Sequence, residues 1–217
     1  MAQQRLVCSA LVGRKDRVQA NPDLGKRWEG ETVVIFGSGN SLTDEQIEYA
    51  YDLNCKYIAI NDTYKRAEFA DVLYACDYKW WNMHYEHILF NGELWTQDLR
   101  AKREFGLNWV LGKSKSGLGS DCVHFGGNSG YQAINLAYLW GAKRIILLGF
   151  DCKAVNGKTH WFGQHPNGLN QNQGFLTWLS NFRQLADDLI INDIEVINCS
   201  PDSALTYFNQ SSITEIR

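Results

Sequence analysis

The six cysteines of this chain, Cys8, Cys55, Cys76, Cys122, Cys152 and Cys199, are scattered singly. None forms a Cys-x-x-Cys pair and none stands at zinc-ligand spacing, which argues against a structural zinc site or a dithiol redox motif. Four of them, Cys55, Cys76, Cys152 and Cys199, lie in or beside apolar runs, where a reduced cysteine behaves as a small hydrophobe. Long hydrophobic runs are also missing: nothing approaches the roughly 20 apolar residues of a membrane helix, and the N-terminal stretch carries no apolar core of signal-peptide length. The expected location is therefore cytoplasmic, with no membrane span. Basic excess is absent too. The net charge is -3 and the isoelectric point near 5.9, which gives no broad attraction for a nucleic-acid backbone. No internal repeat or low-complexity tract is visible.

What remains is an ordinary globular composition. The chain has 217 residues, 45% hydrophobic and 21% charged, enough for one substantial core. Residues 1–30 are mixed and weakly periodic, with Asn21-Pro22 and Gly25 as turn signals, and read as an irregular lead-in. Residues 31–217 read as a single nucleotide-binding α/β domain, because short apolar runs alternate there with longer amphipathic stretches. The candidate strands are Val33–Phe36, Tyr57–Ile60, Val72–Ala75, Trp109–Leu111, Ile145–Leu148 and Val196–Asn198. Their unbroken hydrophobicity predicts burial on both faces, hence a Rossmann-like, mostly parallel sheet with helices on both sides.

Three helices are readable. Thr43 with Gln46 forms a capping-box pattern that opens the first. The second runs from Ser129 to Trp140 and stops at Gly141. The third carries Phe175, Trp178, Leu179, Phe182, Leu185 and Leu189 as one apolar stripe, which reads as core. Residues 79–115 hold Trp80, Trp81, His84, Tyr85, His87 and Trp95, and are expected to form an aromatic-rich insertion or lid whose rings either anchor it or stack a ligand.

Four constellations could carry chemistry. Gly37-Ser38-Gly39-Asn40-Ser41 follows the first strand and precedes a capped helix, where free amides and the helix dipole suit a phosphate. It lacks the P-loop lysine and the dinucleotide glycine spacing, so a kinase-type NTPase or nicotinamide enzyme is poorly supported. Polar residues at strand ends, Asn61, Asp77 and Asp151, would converge where ligands collect in parallel sheets. Gly126-Gly127-Asn128-Ser129-Gly130 opens the second long helix and offers another set of amides. Residues 157–169 carry His160 and His165, candidates for a general base near neutral pH or for phosphate contact. Each feature also has a structural reading: tight turns need glycine, and strand-end carboxylates often cap turns.

Taken in order, these motifs resemble the bacterial sialyltransferases that use CMP-sialic acid. Ile35 to Leu42 is similar to their GNGPSL-type opening, Asn128-Ser129-Gly130 through Gly149-Phe150-Asp151 to their central turn, helix and strand, His160 to His165 to their histidine-aromatic segment, and Cys199 to Ser203 to their late cysteine-proline turn. The resemblance implies that Ser38 and Asn61 contact the nucleotide, Asn128 and Ser129 the donor, and Gly149 and Asp151 the ribose or base. It implies Trp161 in place of a phosphate-binding tyrosine, and a histidine as the base. Gln164 falls at the family's base position by direct spacing, with His165 one residue later. The GSGNSL and GAKRIILLGFD stretches also look like hydroxymethylpterin pyrophosphokinase-type domains, which implies ATP, Mg²⁺ and aspartates such as Asp77 and Asp151 as metal contacts.

The leading expectation is thus a glycosyltransferase-like enzyme that moves a sugar from a nucleotide donor to an acceptor hydroxyl without a required metal. The acceptor is left open among a glycan, a metabolite and a modified DNA base, as is association into a homo-oligomer. The alternatives are the Mg²⁺-dependent pyrophosphokinase and a non-catalytic nucleotide-binding module.

Overall fold

A computed structural model describes residues 24–163, 169 and 174–217. The chain enters through β1 (Thr32–Phe36), α1 (Asp44–Asp52), β2 (Lys56–Ile60) and β3 (Val72–Tyr74). It continues through α2 (Tyr78–His84), β4 (Glu93–Thr96), α3 (Leu99–Phe105) and β5 (Asn108–Trp109). Two short strands, β6 (Gly112–Lys113) and β7 (Val123–His124), precede α4 (Ser129–Leu139), β8 (Arg144–Leu148), α5 (Phe175–Ile191), β9 (Glu195–Asn198) and β10 (Asn209–Gln210). Eight strands form one sheet in the order β10-β9-β8-β1-β2-β3-β4-β5, and every pairing in it is parallel. β6 and β7 pair separately. Among the described residues, no helix is long and apolar enough to cross a membrane.

The unbroken apolar runs follow from this geometry, since successive strand side chains point to opposite faces and both faces are covered. Val33 and Ile35 of β1 join the core under α4 and α5, with Ile134, Phe182 and Leu185. Val34 and Phe36 join the other core, with Ile47 and Ala50 of α1, the two tryptophans of α2 and Ala101 of α3. α1 begins as its residues demand: Thr43 Oγ1 accepts from the Gln46 amide at 3.2 Å while Gln46 Oε1 accepts from the Thr43 amide at 3.1 Å.

Residues 79–115 do not stand off as an insertion or lid. They supply α2, β4, α3 and β5 and extend the sheet by two strands. Trp80, Trp81 and Trp95 are buried in the two cores, so the anchoring reading of these rings holds and the ligand-stacking one does not. The Trp80 indole donates to Asp62 at 3.0 Å and that of Trp81 to the Ala75 carbonyl at 2.9 Å, which satisfies the polar edge of each ring inside the core. The end of the lead-in is likewise tied down. Trp28 is buried edge-on against Trp140, with ring centroids 4.5 Å apart, and its amide donates to the Trp140 carbonyl.

Cys76, Cys122 and Cys199 are buried free thiols, whereas Cys55 and Cys152 are only half-buried; Cys8 lies outside the described residues.

Candidate functional site

Strand order places the site. From β1 the chain steps outward through β2, β3, β4 and β5, then returns through α4 to lay β8 on the other side of β1. The loops leaving the carboxyl ends of β1 and β8 therefore diverge to opposite faces, α1 to one and α5 to the other, and a crevice opens between them. A cleft of about 200 Å³ occupies this position.

The floor of the cleft is backbone packed on backbone. Gly37 donates to the Leu148 carbonyl at 2.7 Å and Gly39 to that of Gly149 at 2.8 Å. A Cβ at Gly39 would lie 2.5 Å from the Gly149 oxygen, and one at Gly149, whose φ is +70°, would lie 2.7 Å from the Gly37 oxygen. The glycines are there first because two loops cross at contact distance.

Asp151, 2% exposed, then fills the space beside the β1 loop. Its carboxylate accepts from the Ser41 amide at 3.0 Å and from the Ser41 hydroxyl, and is also bonded by the Asn40 amide. Burial raises the Asp151 pKa above the usual carboxylate value, against the opposing pull of those Ser41 and Asn40 bonds and of Lys153. Two of the amides expected to hold a ligand phosphate, those of Asn40 and Ser41, are thus held by a carboxylate of the protein itself. Ser41 and Asn40 stand behind the cleft rather than on its surface, with the Asn40 side-chain amide donating to the Val155 carbonyl at 3.3 Å.

Opposite, Asn128 caps α4: its Oδ1 accepts from the Tyr131 amide at 2.9 Å. The Ser129 hydroxyl accepts from the Cys76 amide at 3.2 Å and reaches Asn61 Oδ1 at 3.4 Å, which links the carboxyl ends of β2 and β3 to the start of α4. Among the described residues no acceptor meets the Ser129 or Gly130 amide, nor the Asn128 side-chain nitrogen. These unpaired donors belong to residues that line the cleft.

No protein-family model matches the chain, and no curated protein matches it in sequence.

The expected residues sort cleanly. Gly37, Ser38, Gly39, Asn61 and Asp77 line the cleft, as do Asn128, Ser129, Gly130, Gly149, Asp151 and His160. Ser38, however, turns its hydroxyl inward, 3.0 Å from Thr63 Oγ1 and 3.3 Å from the Ile60 carbonyl. Trp161 also lies off the cleft: its indole donates to Thr63 at 3.2 Å, its amide to the Ser38 carbonyl, and the Arg66 guanidinium covers its ring. It pins the segment after Asp151 to the sheet. Gln164 and His165 lie outside the described residues.

Sequence reasoning passed over two features. Thr63, fully buried, donates to the Gly37 carbonyl at 3.2 Å and receives Trp161, so one hydroxyl joins the β1 loop to the 152–163 segment. The other is an aromatic wall, Phe150, Phe175, Trp178 and Phe182, which faces the polar strand ends across the cleft. Cys152 and Lys153 also line it. Burial pushes the Cys152 thiol up to about 12, so it is protonated at neutral pH and is no nucleophile. Among the described lining residues Lys153 and His160 are the cationic candidates. His160 stacks on Phe162, with centroids 4.9 Å apart, and its Nδ1 meets the Thr159 hydroxyl at 3.0 Å.

Proposed function

We propose that the chain is a glycosyltransferase-like enzyme whose nucleotide-linked sugar lies in this cleft, with the ligand phosphate at the Asn128–Gly130 turn and a histidine taking the proton of an acceptor hydroxyl. The single observation that carries the reading is the convergence on one switch-point cleft of two unpaired helix-start amides, a lysine and a histidine. Helix-start amides stabilise a leaving phosphate without a metal, and Lys153, whose charge acts on Asp151, adds a cation to the cleft. His160, whose Nδ1 lies 3.0 Å from the Thr159 hydroxyl, is one candidate for that base. His165 is the second candidate for that role.

A thermal-shift screen of CMP-, UDP-, GDP- and ADP-linked sugars with and without Mg²⁺ tests the reading, because a ligand at a hundred times its Kd stabilises by about 2.7 kcal/mol. The ligand that shifts the melt is then assayed for donor hydrolysis and transfer with His160→Ala and His165→Ala. The base is the residue whose loss lowers turnover roughly a hundredfold or more at nearly unchanged nucleotide affinity. EDTA-sensitive consumption of ATP would replace the reading with a Mg²⁺-dependent pyrophosphokinase, and binding without any turnover would reduce it to a nucleotide-binding module.

A further inference from the structure

Three of the four rings of the aromatic wall belong to a helix whose stripe otherwise serves the core. Phe182, Leu185 and Leu189 of α5 are fully buried beneath the sheet, but Trp178 and Phe175, one and two turns nearer its start, keep partial exposure and line the cleft. The stripe reaches the edge of the core at Trp178, which still packs against it, and passes beyond it at Phe175. The Trp178 indole is held there by two glycines. A Cβ at Gly127, whose φ is +90°, would lie 3.0 Å from its Cδ1, and one at Gly174 would lie 3.3 Å from its Nε1. Asn181, one turn along, donates to the Gly126 carbonyl at 2.9 Å and fastens this part of α5 to the glycine turn. Phe175 braces the indole edge-on, with centroids 5.4 Å apart at 88°. No described residue accepts from the Trp178 Nε1. A ring this size, oriented by its neighbours at the mouth of a polar cleft, offers a rigid flat surface at little entropic cost.

From this we infer that Trp178 is a stacking platform for the planar heterocycle of the bound ligand, the nucleobase on the reading proposed above, and that it sets selectivity for ligands that carry such a ring. The inference rests on that reading for the identity of the ring. It leaves the phosphate to the Asn128–Gly130 turn beside it, since the same glycine turn that backs the indole leads directly into α4.

The test titrates the full chain, its Trp178→Phe and its Trp178→Leu variants with the four common nucleoside 5′-monophosphates, the matching nucleosides and ribose 5-phosphate. Affinity is read by calorimetry and tryptophan emission is followed in parallel. Stacking predicts that Trp178→Leu weakens the preferred nucleotide roughly tenfold or more and leaves ribose 5-phosphate unchanged. Trp178→Phe, which keeps an aromatic face, retains most of the affinity but loses the ligand-induced quench. A wild-type chain that binds nucleotide with Trp178→Leu equally tight overturns the platform and leaves the nucleotide reading standing. Nucleoside binding that depends on Trp178, with no gain from the phosphate, keeps the platform and removes that reading. Equal weakening of nucleotide and ribose 5-phosphate assigns Trp178 a merely structural role, and a wild-type chain that binds none of the three removes both ideas.

Discussion

Two glycine-bearing turns approach the same cleft and behave oppositely. The β1 loop commits four of its five amides inside the protein: Gly37 and Gly39 donate to the β8 end, and Ser41 and Asn40 to Asp151. The turn before α4 leaves the Ser129 and Gly130 amides without an acceptor among the described residues. Similar composition therefore conceals two jobs. In the first, glycine allows two loops to cross and a buried carboxylate neutralises the donors. In the second, glycine turns the chain so that donors are presented. An anion-binding motif is defined by where its N–H groups end, and that depends on whether the fold already supplies an anion.

The largest effect that could break this contrast comes from Gly149→Ala. A Cβ there meets the Gly37 carbonyl at 2.7 Å from a backbone at φ +70°, so overlap and strain add, and about 3 kcal/mol of stability should be lost in a urea titration. At Gly127, where the neighbour is the Trp178 ring edge at 3.0 Å, Ala should cost less, about 1–2 kcal/mol. Equal costs would mean that both turns are packed alike. Next in size is Asn128→Asp. The new carboxylate still caps α4 but places a negative charge beside the free amides, so anion affinity should fall about tenfold while the melt barely moves. An unchanged affinity in calorimetry would place the ligand phosphate elsewhere.

Much of this fold is legible in the residues. Burial on both faces leaves β1, β2, β3 and β8 as uninterrupted apolar runs, and the Thr43 to Gln46 capping box sets the start of α1. β4 escaped because Glu93-Leu94-Trp95-Thr96 is neither alternating nor uniformly apolar; its Glu93 pairs with Arg27 while Trp95 enters the core. α2 and α3 span seven residues each, too few turns for a period to emerge. The site was legible as a set of strand ends and turns, since chain order puts them at carboxyl ends. Its internal wiring was not. Nothing local says that Asp151 will fill a loop 110 residues earlier, or that Thr63 will hold Ser38 and Trp161 together. The period of α5 likewise cannot say that the stripe meets the edge of the core at Trp178 and leaves it at Phe175, because core and cleft ask for the same spacing of rings.

The two helix caps sharpen the comparison at a smaller scale. Thr43 and Asn128 perform the same local task at α1 and α4, but only Asn128 lines the cleft. Thr43→Ala should cost about 1 kcal/mol of stability with ligand affinity untouched, checked by denaturation and calorimetry on one preparation. A change in affinity would mean that α1 is coupled to the ligand after all.

The smallest effect concerns Asp151 and is read as a slope. Its pKa is raised in the folded protein, chiefly by burial, so the folded state holds a proton more tightly than the unfolded chain. Stability then falls as pH rises, from full value below the ordinary carboxylate pKa of 3.8 until the raised folded pKa is passed. Asp62 and Glu93, with lowered pKa values, tilt the profile the other way, so the quantity to measure is the difference between wild type and Asp151→Asn across pH 3 to 7. Asn cannot ionise. The wild-type curve should therefore decline relative to the variant as Asp151 loses its proton, and then run parallel to it. A wild-type curve that instead gains on the variant through this window would show that the Ser41 and Asn40 bonds outweigh burial. The β1 loop would then be holding its carboxylate as firmly as a phosphate-binding loop holds its ligand.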